Sequence, residues 1–284
     1  MANSDEYEVD VRDVEYQRQG GKSWLARIYQ PQGVGPFPSM IDIHGGAWHN
    51  GDRMNNVEID GALAARGILV AALDFRQPPA DDGYPASVSD VNLGVRWLKA
   101  HAAELCGTTS VGVIGNSSGG HLAVLSALRP HDSRYAALPL ASHPDIDARL
   151  SYVVACWPVI DPLFRYRFAQ QNNRQELVSA HLEYWVTEEA MAEGNPQTAI
   201  EHDTQIDMPP MLFILKKDDK NHPQEMQERF IASYHQRGGP LDMQMFDGLP
   251  EHRWADAAEL PEAIRAVDTI TEFVQRHSLA PASA

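Results

Sequence analysis

Ser117 lies at the centre of Gly115-Asn116-Ser117-Ser118-Gly119, a G-x-S-x-G pentapeptide. A serine in that pattern becomes chemically useful when the chain makes a sharp strand-to-helix turn that lifts its hydroxyl clear of the backbone. Glycines two before and two after the serine suit such a turn because they bring no Cβ into it. A helix starting beside Ser117 would leave unpaired N–H groups that favour developing negative charge. Ser117 is therefore the candidate nucleophile. It needs a base, a group that orients the base, and donors for an oxyanion. About seventy residues upstream stands His44-Gly45-Gly46-Ala47-Trp48. Its glycines free the backbone to turn the N–H groups of Gly46 and Ala47 toward a reacting carbonyl oxygen, with the N–H of Ser118 completing the set. Trp48 is a candidate wall of an acyl or alcohol pocket, with ordinary core of the inserted segment as the alternative reading. Downstream, Lys216-Lys217-Asp218-Asp219 offers two carboxylates, of which Asp219 is preferred as the orienter, and Pro250-Glu251-His252-Arg253-Trp254 offers His252 as the base. Together these residues would perform acyl transfer.

Such a constellation must be assembled by elements that the chain spells out in order. Tyr7–Tyr16 and Ser23–Tyr29 are rich in β-formers and are split by Gly20-Gly21, which reads as a hairpin. Ser39–His44 is a short strand, and residues 55–66 are helical in character and closed by Gly67. Ile68–Leu73 is an uninterrupted apolar run, as expected where both faces of a parallel sheet are covered. Ala86–Ala103 shows helical spacing through Val88, Val91, Val95 and Leu98. The strand Ser110–Asn116 and an Ala- and Leu-rich helix flank Ser117. The later strands are Ser151–Trp157, Met211–Leu215 and Leu241–Phe246, with helices over Pro223–Arg237 and from about Ala257 to Arg276. This alternation predicts an α/β fold, an open and mostly parallel sheet with helices on both faces. Chemistry in such sheets collects at the carboxyl ends of the strands. Residues 161–207 break the rhythm, with Phe164, Tyr166, Phe168, Tyr184 and Trp185 set among charges. They read as a helical cap inserted after the sixth strand of a single domain spanning 1–284.

With these residues in place, the chain resembles the α/β-hydrolase superfamily. It is most similar to hormone-sensitive-lipase-like carboxylesterases and to the related acetyl-xylan and feruloyl esterase-like and kynurenine-formamidase-like branch. The likeness rests on His44–Trp48, Asp74-Phe75-Arg76, Tyr84-Pro85-Ala86 with Asp90, Gly115–Ala123, and Asp219 four residues before Pro223. It implies a catalytic triad of Ser117, Asp219 and His252, in the chain order of such enzymes, and an oxyanion hole at Gly46, Ala47 and Ser118. It also implies a serine hydrolase of a small ester, or with the same triad of a lactone, formamide or activated amide. A non-catalytic ligand-binding member of the fold is the alternative, and family members also form homodimers through the last strand and helix. Asn116 and Ser118 replace the Asp and Ala common beside the serine, and Lys216-Lys217 stands where relatives often carry glycine.

Composition narrows the remaining classes. The net charge of −16 argues against nucleic acid or an anionic membrane as partner, because both need a basic face. No apolar run approaches the ~20 residues of a membrane span. Met1–Glu6 is acidic and polar, unlike a secretory signal. Two cysteines, Cys106 and Cys156, are too few for a disulfide framework, and Cys156 in an apolar run reads as a buried structural thiol. A cytoplasmic protein is expected, with no metal and no organic cofactor, since no cluster has ligand spacing. His44 is expected to brace the oxyanion loop, His121 to be structural, and Asp161 to cap a helix. Arg165 and Arg167 are expected on a solvated face, where a substrate carboxylate is the less favoured reading.

Overall fold

A computed structural model describes residues 6–249 and 260–278. Eight strands form one sheet in the order β1-β2-β4-β3-β5-β6-β7-β8. They are β1 (Val9–Gln19), β2 (Lys22–Pro31), β3 (Phe37–Ile43), β4 (Leu69–Leu73), β5 (Gly107–Asn116), β6 (Val153–Cys156), β7 (Met211–Lys216) and β8 (Leu241–Phe246). The first two form the expected hairpin, and β2 runs antiparallel to β4. Every pairing from β4 through β8 is parallel.

The helices are α1 (Val57–Ala65), α2 (Ala86–His101), α3 (Ser118–Leu128), α4 (Pro162–Gln171), α5 (Gln175–Trp185), α6 (Glu188–Glu193), α7 (Pro196–His202), α8 (Gln224–Gln236) and α9 (Pro261–Ser278). Alternate residues of the central strands feed opposite faces of the sheet. Ile41, Val113, Ala155 and Phe213 join Val91, Leu122 and Phe230 on one side. Met40, Ile114, Val154 and Ile214 join Ile59, Leu63, Ile270 and Phe273 on the other. Apolar packing on both faces is why these strands read as continuous hydrophobic runs. Residues 161–207, between β6 and β7, hold helices α4 to α7 as the broken rhythm suggests. Asp161 caps α4 by accepting from the Phe164 N–H at 2.9 Å, and Pro162 starts the helix where a missing N–H costs nothing. Among the described residues, no helix is long and apolar enough to cross a membrane.

One buried group works against this core. Asp60 of α1 has no exposed surface, and neither carboxylate oxygen meets a hydrogen-bond donor. Burial raises its pKa well above 3.8, and the nearby Asp42 and Glu58 carboxylates push it the same way. A carboxyl that holds its proton longer in the folded than in the unfolded chain lowers stability as pH rises past the unfolded pKa. Asp60→Asn is therefore expected to stabilise the fold at neutral pH by about 1–2 kcal/mol, with the gain shrinking toward pH 4. Thermal unfolding at the two pH values checks this, and equal or lower stability of the variant at pH 7 would contradict it.

Candidate active site

The site begins where β5 ends. Ser117 follows Asn116 directly and adopts φ 54°, ψ −118°, a strained turn for a residue with a side chain. Three backbone hydrogen bonds hold that turn: Ser117 N–H donates to the Cys156 carbonyl at 3.0 Å, while its own carbonyl accepts from Val159 and His121 at 3.0 and 3.1 Å. The next residue opens α3, so the Ser118 N–H is one of the helix's unpaired donors.

Beside it, β3 delivers the His44–Trp48 loop. A Cβ on Gly119 would fall 2.0 Å from the Ile43 carbonyl oxygen, so only glycine lets α3 approach the end of β3 this closely. Gly46 has φ +116°, and a Cβ there would lie 1.9 Å from the Asn50 carbonyl oxygen. Both glycines are thus fixed by the path of the loop. Asn116 ties the two segments together, its Oδ1 accepting from the Gly45 N–H at 3.0 Å and from Asn56 Nδ2 at 3.2 Å. Asn56 in turn donates to both Asp42 oxygens at 3.0 Å. His44 braces the loop as expected, donating from Nδ1 to the Gly45 carbonyl at 2.7 Å and stacking on Phe75. Among the described residues, the N–H groups of Gly46, Ala47 and Ser118 donate to no backbone acceptor.

The imidazole on Ser117 comes from an unexpected place. His222 Nε2 lies 3.1 Å from Ser117 Oγ, and His222 Nδ1 lies 2.9 Å from Asp219 Oδ2. Acid and imidazole share the loop after β7. Asp219 Oδ1 accepts from the Asn221 and His222 N–H groups at 2.8 and 3.1 Å, a tight turn that brings the ring of His222 back over the carboxylate. With Nδ1–H donating to Asp219, Nε2 is left to accept the serine proton. Burial tends to raise the Asp219 pKa, but the His222 contact and the Asn221 N–H outweigh it and hold the carboxyl at about 2. Burial lowers the His222 pKa below 6.5, and Asp219 opposes that shift without reversing it. His252, the histidine expected from the sequence, lies outside the described residues. The signal passed over is Asp219-Lys220-Asn221-His222-Pro223, a histidine three residues beyond the chosen acid.

Helices α4 and α5 close one side of a cavity of about 470 Å³ that opens on Gly46, Ala47, Ser117 and His222. Trp48 is not among its lining residues. It is 1 % exposed, stacks on Tyr184 at 5.1 Å, and donates from Nε1 to His121 Nδ1 at 3.1 Å. Its large apolar ring is satisfied by the helices that follow β6, so it anchors them to the His44–Trp48 loop and does not face the cavity. His121 is structural as expected. Its Nε2–H donates to the Gly194 carbonyl at 2.8 Å, and burial lowers its pKa to about 4. Asp218, the alternative acid, makes no contact with His222, while Cys156 is buried and its thiol pKa is raised by burial. Arg167 is exposed and pairs with Glu188 at 2.9 Å, whereas Arg165 departs from expectation and is buried at 1 % exposure.

A family model described as BD-FAE matches residues 27–233. The chain belongs to the BD-FAE family. The match runs from β2 through α8 and so takes in the His44–Trp48 loop, Ser117, Asp219 and His222. Two curated relatives from Mycobacterium tuberculosis are similar to it. Esterase LipC is 34 % identical over 116 residues, covering 40 % of this chain and 28 % of LipC. Carboxylic ester hydrolase LipN is 34 % identical over 136 residues, covering 46 % of this chain and 35 % of LipN. The matched part thus spans about a third of each relative's length. A solved structure of Thermogutta terrifontis esterase 2, phosphonylated by sarin, superposes with a TM-score of 0.77. It is 21 % identical, with 95 % of this chain and 96 % of that one covered, and likeness at that level shows the α/β-hydrolase fold of this BD-FAE chain.

The electrostatics of the loop give a direct test. His222 should titrate below 6.5, because burial disfavours its imidazolium. Asp219→Asn should lower the midpoint further, since it removes the carboxylate that, among the described residues, favours the charged form. Nuclear magnetic resonance of labelled histidines reads both midpoints, and a rise in the variant would contradict the assignment.

Proposed function

We propose that this protein is a serine hydrolase of small carboxylic esters that works through an acyl-enzyme. The observation behind the reading is the chain of contacts from Ser117 Oγ to His222 Nε2 and from His222 Nδ1 to Asp219, at 3.1 and 2.9 Å. His222 takes the Ser117 proton as Oγ attacks the ester carbonyl, and Asp219 steadies the imidazolium that results. The N–H groups of Gly46, Ala47 and Ser118 receive the oxyanion, each typically worth ~3 kcal/mol. Collapse of the tetrahedral intermediate passes the proton from His222 to the departing alcohol and leaves Ser117 acylated. Water then enters with His222 again as base, and the acid leaves. The names of LipC and LipN support the ester class. Lactones, formamides and activated amides are open to the same machinery. The cavity of about 470 Å³ falls in the range of small-molecule sites.

Replacing Ser117 by Ala should abolish p-nitrophenyl ester turnover and covalent labelling by a fluorophosphonate, with the fold intact by circular dichroism. The expected loss in kcat is about 10³-fold or more. His222→Ala should lose a similar factor while His252→Ala retains most turnover. The reverse outcome would move the base to His252 and leave Ser117 as nucleophile. Since catalysis needs neutral His222 and burial lowers its pKa, the acid limb of the kcat/KM profile should fall below pH 6.5. Label-free binding of small ligands without turnover would favour a non-catalytic binding protein instead.

A further inference from the structure

Arg165 is a buried charged side chain in the cavity wall that the proposed chemistry leaves unused. It belongs to α4, one turn after the Asp161 cap, and it lines the same cavity as Ser117 and His222. It is 1 % exposed, and its Nη2 is buried without a hydrogen-bond partner. Among the described residues, no carboxylate forms an ion pair with it. Its neighbours are neutral or aromatic: Nε donates to His181 Nε2 at a long 3.4 Å, and its guanidinium lies 5.1 Å from the Trp48 ring. His181 cannot share the charge as an acid would, since its Nδ1–H is committed to the Leu177 carbonyl at 2.7 Å and burial holds its pKa at about 3. The acidic group whose field reaches Arg165 is Asp219, which is already engaged by His222 and two backbone N–H groups.

Burial lowers the pKa of Arg165, yet a guanidinium stays protonated at neutral pH. A buried charge without a partner is costly, and an anionic ligand bound beside it would offset that cost. The position is also well fixed, because Asp161 is held by Asn195 at 2.7 Å as well as by the Phe164 N–H. At the cavity mouth, Arg174 adds a second positive charge and is itself anchored on Asn221 at 2.8 Å. Glu176 lies at the same mouth but is exposed to solvent.

We propose that Arg165 is a substrate-binding residue for a carboxylate, and that the ester cleaved at Ser117 carries a free carboxylate on its acyl or its alcohol part. A planar guanidinium suits a carboxylate geometrically, and in a dry pocket the pair counts for more than it would at the surface. A cavity of about 470 Å³ is on the order of 10 Å across, which places the carboxylate a few bonds from the scissile carbonyl. This inference rests on the hydrolase reading for the reaction and on Arg165 alone for the anion.

The test compares monoethyl glutarate with ethyl hexanoate, and 4-acetoxybutanoate with pentyl acetate, in the wild type and in Arg165→Gln and Arg165→Lys. In the wild type, kcat/KM should favour the charged member of at least one pair by tenfold or more. Arg165→Gln should shrink that charged-to-neutral ratio by about 100-fold, chiefly through KM, and Arg165→Lys should restore part of it. A ratio unchanged by Arg165→Gln, or favouring the neutral ester in both pairs of the wild type, would overturn the proposal. Glutarate itself supplies a reading that does not need catalysis. It should raise the thermal unfolding midpoint of the wild type and of Ser117→Ala, and leave Arg165→Gln unmoved. Stabilisation by glutarate with no turnover of any ester would sink the hydrolase reading while the anion pocket stands. Turnover of neutral esters with no response to glutarate and no preference for either charged ester would do the opposite.

Discussion

The site depends on the parallel pairing of β3 with β5. That register sets Ile43 opposite Gly115, so both strands end at the same height and release their loops side by side. Nothing but backbone fits between them, since a Cβ on Gly119 would sit 2.0 Å from the Ile43 carbonyl oxygen. Asn116 then locks the junction by accepting from Gly45 on one strand's loop and from Asn56 beyond it. The Ser117 turn and the His44–Trp48 loop are therefore joined as a single unit. Oxyanion stabilisation of the proposed kind requires this, because donors help only when they need not reorganise during reaction.

A second constraint is how charge is distributed in the buried region around that object. His44, His121, His181 and His222 are all buried, and burial lowers the pKa of each. Only His222 faces a carboxylate through a direct hydrogen bond. The other three use their ring nitrogens to hold backbone carbonyls at Gly45, Gly194 and Leu177. Those rings work as neutral braces. Of these four rings, the one hydrogen-bonded to a carboxylate is also the one touching Ser117, which is where the proposed acyl transfer needs a proton to be held.

The elements and the strand-to-helix turn at Ser117 are legible in the sequence because they rest on local rules. Strand runs, the Gly20-Gly21 hairpin and the flanked G-x-S-x-G each declare themselves within ten residues or so. Cap and cavity depend on packing between segments far apart in sequence, and there the reading went astray. In α4, Phe164 and Phe168 carry the apolar pattern and Arg165 interrupts it, so hydrophobic periodicity assigns the arginine to solvent. The fold does the opposite: Arg165 is buried, and the two phenylalanines line a partly open groove. Trp48 stands beside Gly45-Gly46 in sequence, whereas Tyr184, over a hundred residues on, decides its surroundings. His222 is hard to single out in the sequence because it shares one loop with Asp219. The turn in which Asp219 accepts from the Asn221 and His222 N–H groups makes one loop sufficient.

The helices after β6 also limit what kind of enclosure the site can have. Trp48 bonds to His121 in α3, stacks on Tyr184 in α5 and meets Trp185 edge-on at 5.6 Å. The Tyr84 N–H donates to the Tyr184 carbonyl at 3.3 Å, and Arg129 donates to the Glu193 carbonyl at 2.6 Å. Moving α5 or α6 away would expose the aromatic cluster to water and break these bonds together, at a cost of several kcal/mol by area and hydrogen bonding. A cost of that size keeps the closed arrangement of this wall strongly dominant. Substrate entry then falls to the mouth where Arg174 and Glu176 stand, and selection falls to the shape and charge of a preformed cavity. A fixed wall also explains how a buried guanidinium can be tolerated there. It is held in place before any anion arrives, and the ordering entropy has been met by the fold.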